Sequence, residues 1–336
     1  MSMSFSKICL IVVFLSVWSC VCVGAETWHL GDGQDWSKVS KDDVYLSAVS
    51  VIKQLINSGE GVGVRKALEK LKKDFPEIAG ADLDSFIEAE VHYGEGNFVK
   101  AVRGYDKFLE EYPDSALHEA AIDRQFSIAT AYLAGAKKPV LKVFKVKGYA
   151  EGEKIMDKIG EREGESPVAA RAAIAIAKSY EKRNKHNEAY SKWSEVSSKW
   201  PTGAIGKESL LAMGRCKHAD YRGPKYDSSN LVSAKSYYED FASRYSADAE
   251  RLEIGKRIAQ IEEQMSYKQL AIGQYYEKTG NKQAANFYYE MVISDWPDSM
   301  AAQIATDVLE PESEKKEEEE ETWKTRVIKK FEKLFL

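Results

Sequence analysis

Histidine, cysteine and serine are the residues whose spacing most often betrays chemistry, and in this chain none of them stands in a working arrangement. His29, His92, His118, His186 and His218 fall in five separate segments. No two are spaced as a metal-binding pair on a helix, and His118 with Glu119 lacks a second histidine. No serine is framed by glycines as a nucleophile would be. The glycines between Glu60 and Gly63 are not spaced to cradle a phosphate, and no strand pattern precedes them. The many glutamates sit in helical patterns where a solvated face accounts for them. The sequence therefore predicts no enzyme, no metal and no cofactor.

Cysteines tell of compartment more than of chemistry. Cys9, Cys20 and Cys22 lie in or beside the amino-terminal apolar run, and Cys216 stands alone. Lys7 precedes that run, Ile8 to Trp18, which is too short to span a bilayer and reads as an export signal. Two processing routes fit. Val23, Gly24 and Ala25 before Glu26 suit ordinary cleavage, giving a signal peptide over 1–25. Val17, Trp18, Ser19 and Cys20 resemble an imperfect lipobox that would lipidate Cys20. Cleavage after Ala25 leaves only Cys216, so that mature chain has no internal disulfide and its stability must come from packing. With 44% hydrophobic and 30% charged residues and a net charge of −5, the composition suits a folded, soluble chain and gives no support for nucleic-acid binding.

The elements that position everything else repeat. Ala101, Tyr105, Phe108, Tyr112 and Pro113 step by four, three, four and one. Ala189, Trp193, Val196, Trp200 and Pro201 do the same, as do Ala285, Tyr289, Val292, Trp296 and Pro297. Val64, Leu68, Leu71, Phe75 and Pro76 fit too. Ala234, Tyr238, Phe241 and Tyr245 fit with Ser246 in place of proline, and Gly152, Met156, Ile159, Glu163 and Gly164 form the weakest copy. Such steps keep one helical face apolar, and the proline ends the helix. A period of roughly 40 residues predicts a stack of helix pairs, an all-α solenoid of about five pairs over residues 61–309. Each pair's first helix carries a small residue three before a tyrosine: Ala129 and Tyr132, Ala177 and Tyr180, Gly273 and Tyr276. Gly96-Asn97 and Gly280-Asn281 turn the chain within a pair. Residues 26–60 read as an extended stretch and a first helix closed near Asn57. Lys137 to Gly148 reads as a basic loop insert, and Ala249 to Tyr276 as one long helix.

The end of the chain differs in kind. Glu310 to Glu321 holds eight glutamates and two lysines, an acidic linker over 310–321. In residues 322–336, Trp323, Val327, Phe331 and Leu334 share a helical face among basic neighbours. This basic amphipathic helix has three possible seats: its own repeats, a membrane surface or a partner.

The glycine, alanine, aromatic and proline spacing is similar to the tetratricopeptide pattern. The Tyr-Pro-Asp-Ser and Trp-Pro-Asp-Ser endings at 112–115 and 296–299, with the stretch Arg251 to Val292, resemble the BamD family of outer-membrane protein assembly factors. The resemblance covers roughly residues 60–309. It implies a scaffold on the periplasmic side of the outer membrane, bound to a BamA-like barrel-assembly subunit and to unfolded outer-membrane proteins. A second periplasmic adaptor, the coordinator of the Tol-Pal and peptidoglycan systems, shares the Tyr-Pro-Asp-Ser ending. It carries an amino-terminal coiled coil, and residues 26–60 show no heptads.

A peptide groove would be lined by the first helix of each pair. Counting back from the turns places Phe86, Glu90 and Tyr93, then Phe126 and Thr130, then Ile174 and Lys178 along it. Exposed Phe86, Tyr93 and Phe126 would make an aromatic strip suited to an extended apolar peptide.

Overall fold

The structure, a computed structural model, describes residues 41–76, 80–140, 144–309 and 327–333. It divides into two units, Met1–Gly164 and Glu165–Leu336. Within each, the fold is the expected all-α solenoid of helix pairs.

The first unit holds α1 (Lys41–Asn57), α2 (Gly61–Asp74), α3 (Ala81–Gly94), α4 (Phe98–Glu111), α5 (His118–Leu133) and α6 (Tyr149–Glu163). The second holds α7 (Pro167–Lys182), α8 (His186–Lys199), α9 (Gly203–Ala219), α10 (Ser229–Arg244), α11 (Ser246–Arg251), α12 (Ile254–Lys278), α13 (Lys282–Asp295) and α14 (Met300–Leu309). Helices pair as α1 with α2, α3 with α4, α5 with α6, α7 with α8, α9 with α10 and α12 with α13. The helix before the first spaced pattern, α1, is thus the partner helix of the first pair.

The spaced residues are the buried ones. Tyr105 and Phe108 of α4, Trp193 and Val196 of α8, Tyr238 and Phe241 of α10, and Tyr289 and Val292 of α13 are all sealed from solvent. Five of the six patterns end in the same backbone conformation, and the weakest ends instead at Gly164 with φ 63°. Phe75, Tyr112, Trp200, Tyr245 and Trp296 have φ between −137° and −128° and ψ between 56° and 72°. A following proline bars the helical conformation at the residue before it. Tyr245 adopts this geometry ahead of Ser246, where no proline compels it. Its ring centroid lies 5.3 Å from that of Phe241 one turn back, so aromatic packing holds the stop there.

The turns inside pairs need a left-handed residue. Gly59, Gly96 and Gly280 supply it with φ of 74°, 70° and 82°. In the α7–α8 turn Asn184 takes the role at φ 57°, a place asparagine tolerates better than most residues. Close approach matters at Gly94, where a Cβ would sit 2.1 Å from the Ile56 carbonyl oxygen. Only glycine lets α3 lie this near α1.

Two stretches differ from the sequence expectation. The basic insert is an antiparallel hairpin of β1 (Lys137–Val140) and β2 (Phe144–Lys147), with Lys137 opposite Lys147 and Val140 opposite Phe144. Valine and phenylalanine interleaved with lysine carry a strand's alternation. The expected long helix is broken at Leu252 and Glu253, where Glu253 takes φ 54°. Ala249 and Ile254 are both buried. Five residues of unbroken helix would turn the second about 140° away from the first. The break re-phases the chain so that both reach the core.

Candidate protein-binding surfaces

Adjacent pairs are joined by a buried carboxylate clamp. Glu90 of α3 is 2% exposed. The Tyr105 hydroxyl of α4 donates to its Oε1. Arg124 of α5 donates from Nε to Oε1 at 2.8 Å and from Nη2 to Oε2 at 2.9 Å. One carboxylate therefore fixes three helices. Burial, and then Glu90 itself, push the Tyr105 phenol well above its ordinary pKa. Burial opposes the Arg124 charge, and Glu90 more than restores it.

The device recurs in the second unit. Glu181 of α7 accepts from Trp193 Nε1 at 2.5 Å. It also accepts from Arg215 of α9, Nε to Oε2 at 2.7 Å and Nη2 to Oε1 at 2.9 Å. In the last pair Tyr289 donates to Glu277 Oε2 at 2.7 Å, but α14 carries no arginine to complete the clamp. Sequence reasoning passed over Glu181 and Glu277 as solvated carboxylates. Their signal was position: each lies three residues before the left-handed turn residue, Asn184 or Gly280.

The groove residues fare differently one by one. Phe86 has no exposed surface, its ring centroid 5.8 Å from that of Tyr105 and 5.5 Å from that of Phe108. It is core, and Glu90 is the clamp, so neither lines a groove. Tyr93 is half-buried, with the Arg124 guanidinium 4.8 Å from its ring centroid and Phe98 at 5.8 Å. Phe126 is half-buried, and exposed Thr130 donates its hydroxyl to the Phe126 carbonyl at 2.8 Å. The strip is thus reduced to Tyr93 and Phe126, both partly covered. In the second unit Ile174 is half-buried against the core, and Lys178 is exposed and paired with Glu208 at 2.7 Å. Of the terminal residues, Val327 is half-buried and Phe331 is 1% exposed, its ring stacked on Tyr267 at 4.4 Å and 12°. Phe331 sits in its own repeat's core, so the described part of the apolar face, Val327 and Phe331, is turned inward. Trp323, Leu334 and Cys20 lie outside the described residues. Cys216 is buried, and burial first, then Glu181, push its thiol up to about 12. It is not a nucleophile at neutral pH.

The last pair carries a surface that the periodicity did not single out. Tyr275 is 63% exposed and Phe287 57%. Between them Tyr276 stacks on Tyr288 at 5.7 Å and 11°, so four rings run together across α12 and α13. Tyr276 does not fill the space at Gly273. That space belongs to Tyr289, whose ring a Cβ at Gly273 would meet at 2.6 Å. Phe287 stands two residues after the repeat alanine. The same position holds Arg103, Ser191 and Ser236 in other copies. An aromatic where the pattern keeps polar residues was the available signal.

Among the described residues, no cluster of histidine, cysteine or carboxylate side chains is placed to hold a metal ion. The family model for the tetratricopeptide repeat matches residues 86–115 and 269–299, that is α3 with α4 and the last pair. This chain carries tetratricopeptide repeats, the framework of protein-interaction scaffolds. No curated protein matches it. Among solved structures it is similar to PilW, described as a widely conserved type IV pilus biogenesis factor. The identity is 14%, over 78% of this chain and 98% of that one, with a TM-score of 0.28. It is also similar to the C-terminal part of a TPR repeat-containing protein from Cytophaga hutchinsonii. There the identity is 15%, over 81% and 97%, with a TM-score of 0.34. Likeness at this level has no bearing on what this chain does.

Proposed function

We propose that this chain is a non-catalytic scaffold of the cell envelope, of the kind that assembles outer-membrane β-barrel proteins. It would bind a BamA-like subunit and unfolded barrel clients, with no cofactor. The observation that carries the reading is the run of exposed rings on the last pair. It lies in a stretch matched as a tetratricopeptide repeat and in the part of the sequence that resembles the BamD family. Aromatic side chains are the residues that most often dominate a binding interface, because they bury large area at small entropic cost. The export signal supports an envelope location, with either a mature start at Glu26 or a lipidated Cys20. Mass spectrometry of the envelope form separates those two, and an intact Met1 there would refute both.

The test is cross-linking in intact envelopes followed by identification of what is joined to the last pair. Recovery of the barrel-assembly subunit supports the proposal. Recovery of Tol-Pal components supports the second adaptor type instead. Recovery of neither removes the envelope-scaffold reading.

A further inference from the structure

We propose that residues 327–333 are a removable plug on a peptide-docking site of the last repeat. The natural partner of that site is a protein segment presenting an aromatic side chain among basic residues. This deepens the scaffold reading and rests on it.

The segment is held through little. Phe331 is fully buried and Val327 half-buried, one turn apart on one face, while Ile328, Lys329, Lys330, Glu332 and Lys333 are exposed. A helix this short does not persist alone in water, so its form depends on its seat. The seat is specific. The Phe331 ring lies flat on Tyr267 of α12, in the apolar cluster that holds Leu270 and, from α14, Ala301, Ile304 and Ala305. It is also charged. A recess of about 290 Å³ at the α13–α14 turn is lined by Glu262, Glu263, Asp295 and Asp298. Burial raises the Glu263 carboxyl, with the Met300 amide and Lys330 acting the other way. Its Oε1 accepts from Met300 N at 3.2 Å, and its Oε2 has no hydrogen-bond partner. A basic, aromatic helix beside an acidic, apolar site is charge-complementary, and a partner that displaced it would need the same chemistry. Because residues 310–326 tie the plug to the site, it competes at high effective concentration. If it is seated nine times in ten, a partner's apparent affinity falls about tenfold.

The test uses full chains and a labelled synthetic peptide of residues 322–336. Phe331→Ala should bind the peptide at least about tenfold tighter than the unaltered chain, since the site is then vacated. Adding Tyr267→Ala should abolish that gain. In the unaltered chain, amide exchange at 327–333 should be much faster than in α12 and α13. Equal peptide affinity for both chains, no binding to Phe331→Ala, or exchange at 327–333 as slow as in α13 would each overturn the plug. The exchange arm stands even where Phe331→Ala folds poorly. The peptide is the chain's own, so a plug that works without envelope partners, and partners without a plug, are separable outcomes.

Discussion

Glu90 and Glu277 accept from equivalent tyrosines, Tyr105 and Tyr289, and should respond very differently to removal. Glu90→Ala removes the two-pronged carboxylate from Arg124 and the acceptor from the Tyr105 hydroxyl, in a largely buried site. The expected cost is about 3–5 kcal/mol, the usual penalty for breaking a buried pair from one side. Glu277 is exposed and has no arginine, so Glu277→Ala should cost about 1 kcal/mol, the scale of a single hydrogen bond. Denaturant unfolding of the two variants checks the contrast, and equal losses would mean the clamp does not tie helices together. Cys216 gives a second residue-scale outcome. With its thiol pushed up to about 12, it should resist thiol reagents in the native protein at pH 8 and react only on unfolding.

His218 belongs to the same scale. Burial lowers its pKa below the ordinary 6.5, opposed by a hydrogen bond with Gln264. The unfolded chain then takes up the proton first. Stability should be full above about 6.5 and fall as pH drops through that value. His218→Gln should flatten this part of the profile, and a profile unchanged by the substitution would assign the dependence elsewhere.

At the scale of elements, the helix pairs were legible because two signals repeat. The four-three-four-one steps mark each second helix, and the aromatic-proline ending marks its stop. The first helices were harder. Counting fours back from a turn placed Phe86 and Glu90 on an outer face. A first helix packs against its own partner and against the neighbouring pair, so most of its circumference is interior. Spacing alone does not separate groove from core there. The α11–α12 break was hidden for a different reason. Gly255 stands just beyond it, but the left-handed residue is Glu253, and the need to bury both Ala249 and Ile254 is set by tertiary packing. The contact between α1 and α3 makes an element-scale prediction. Gly94→Ala would press a methyl against the Ile56 carbonyl and should destabilise by about 1–3 kcal/mol, as overpacking does. An unfolding midpoint equal to that of the unaltered chain would place α1 outside the folded unit.

For the molecule as a whole, binding by the proposed scaffold falls to the last pair, where Phe287 breaks the repeat rule beside exposed Tyr275. Removing those rings separates a binding surface from an incidental one. Tyr275→Ser with Phe287→Ser removes both exposed rings, and at Phe287 it installs the polar type found at Ser191 and Ser236. Since both side chains are more than half exposed, the unfolding midpoint should be essentially unchanged. Envelope cross-linking of this variant beside the unaltered chain is the measurement. The barrel-assembly subunit should be joined to the unaltered chain, and its yield should fall at least about tenfold in the variant, the effect of losing one interfacial hot spot. The same yield from both chains at equal stability would contradict it.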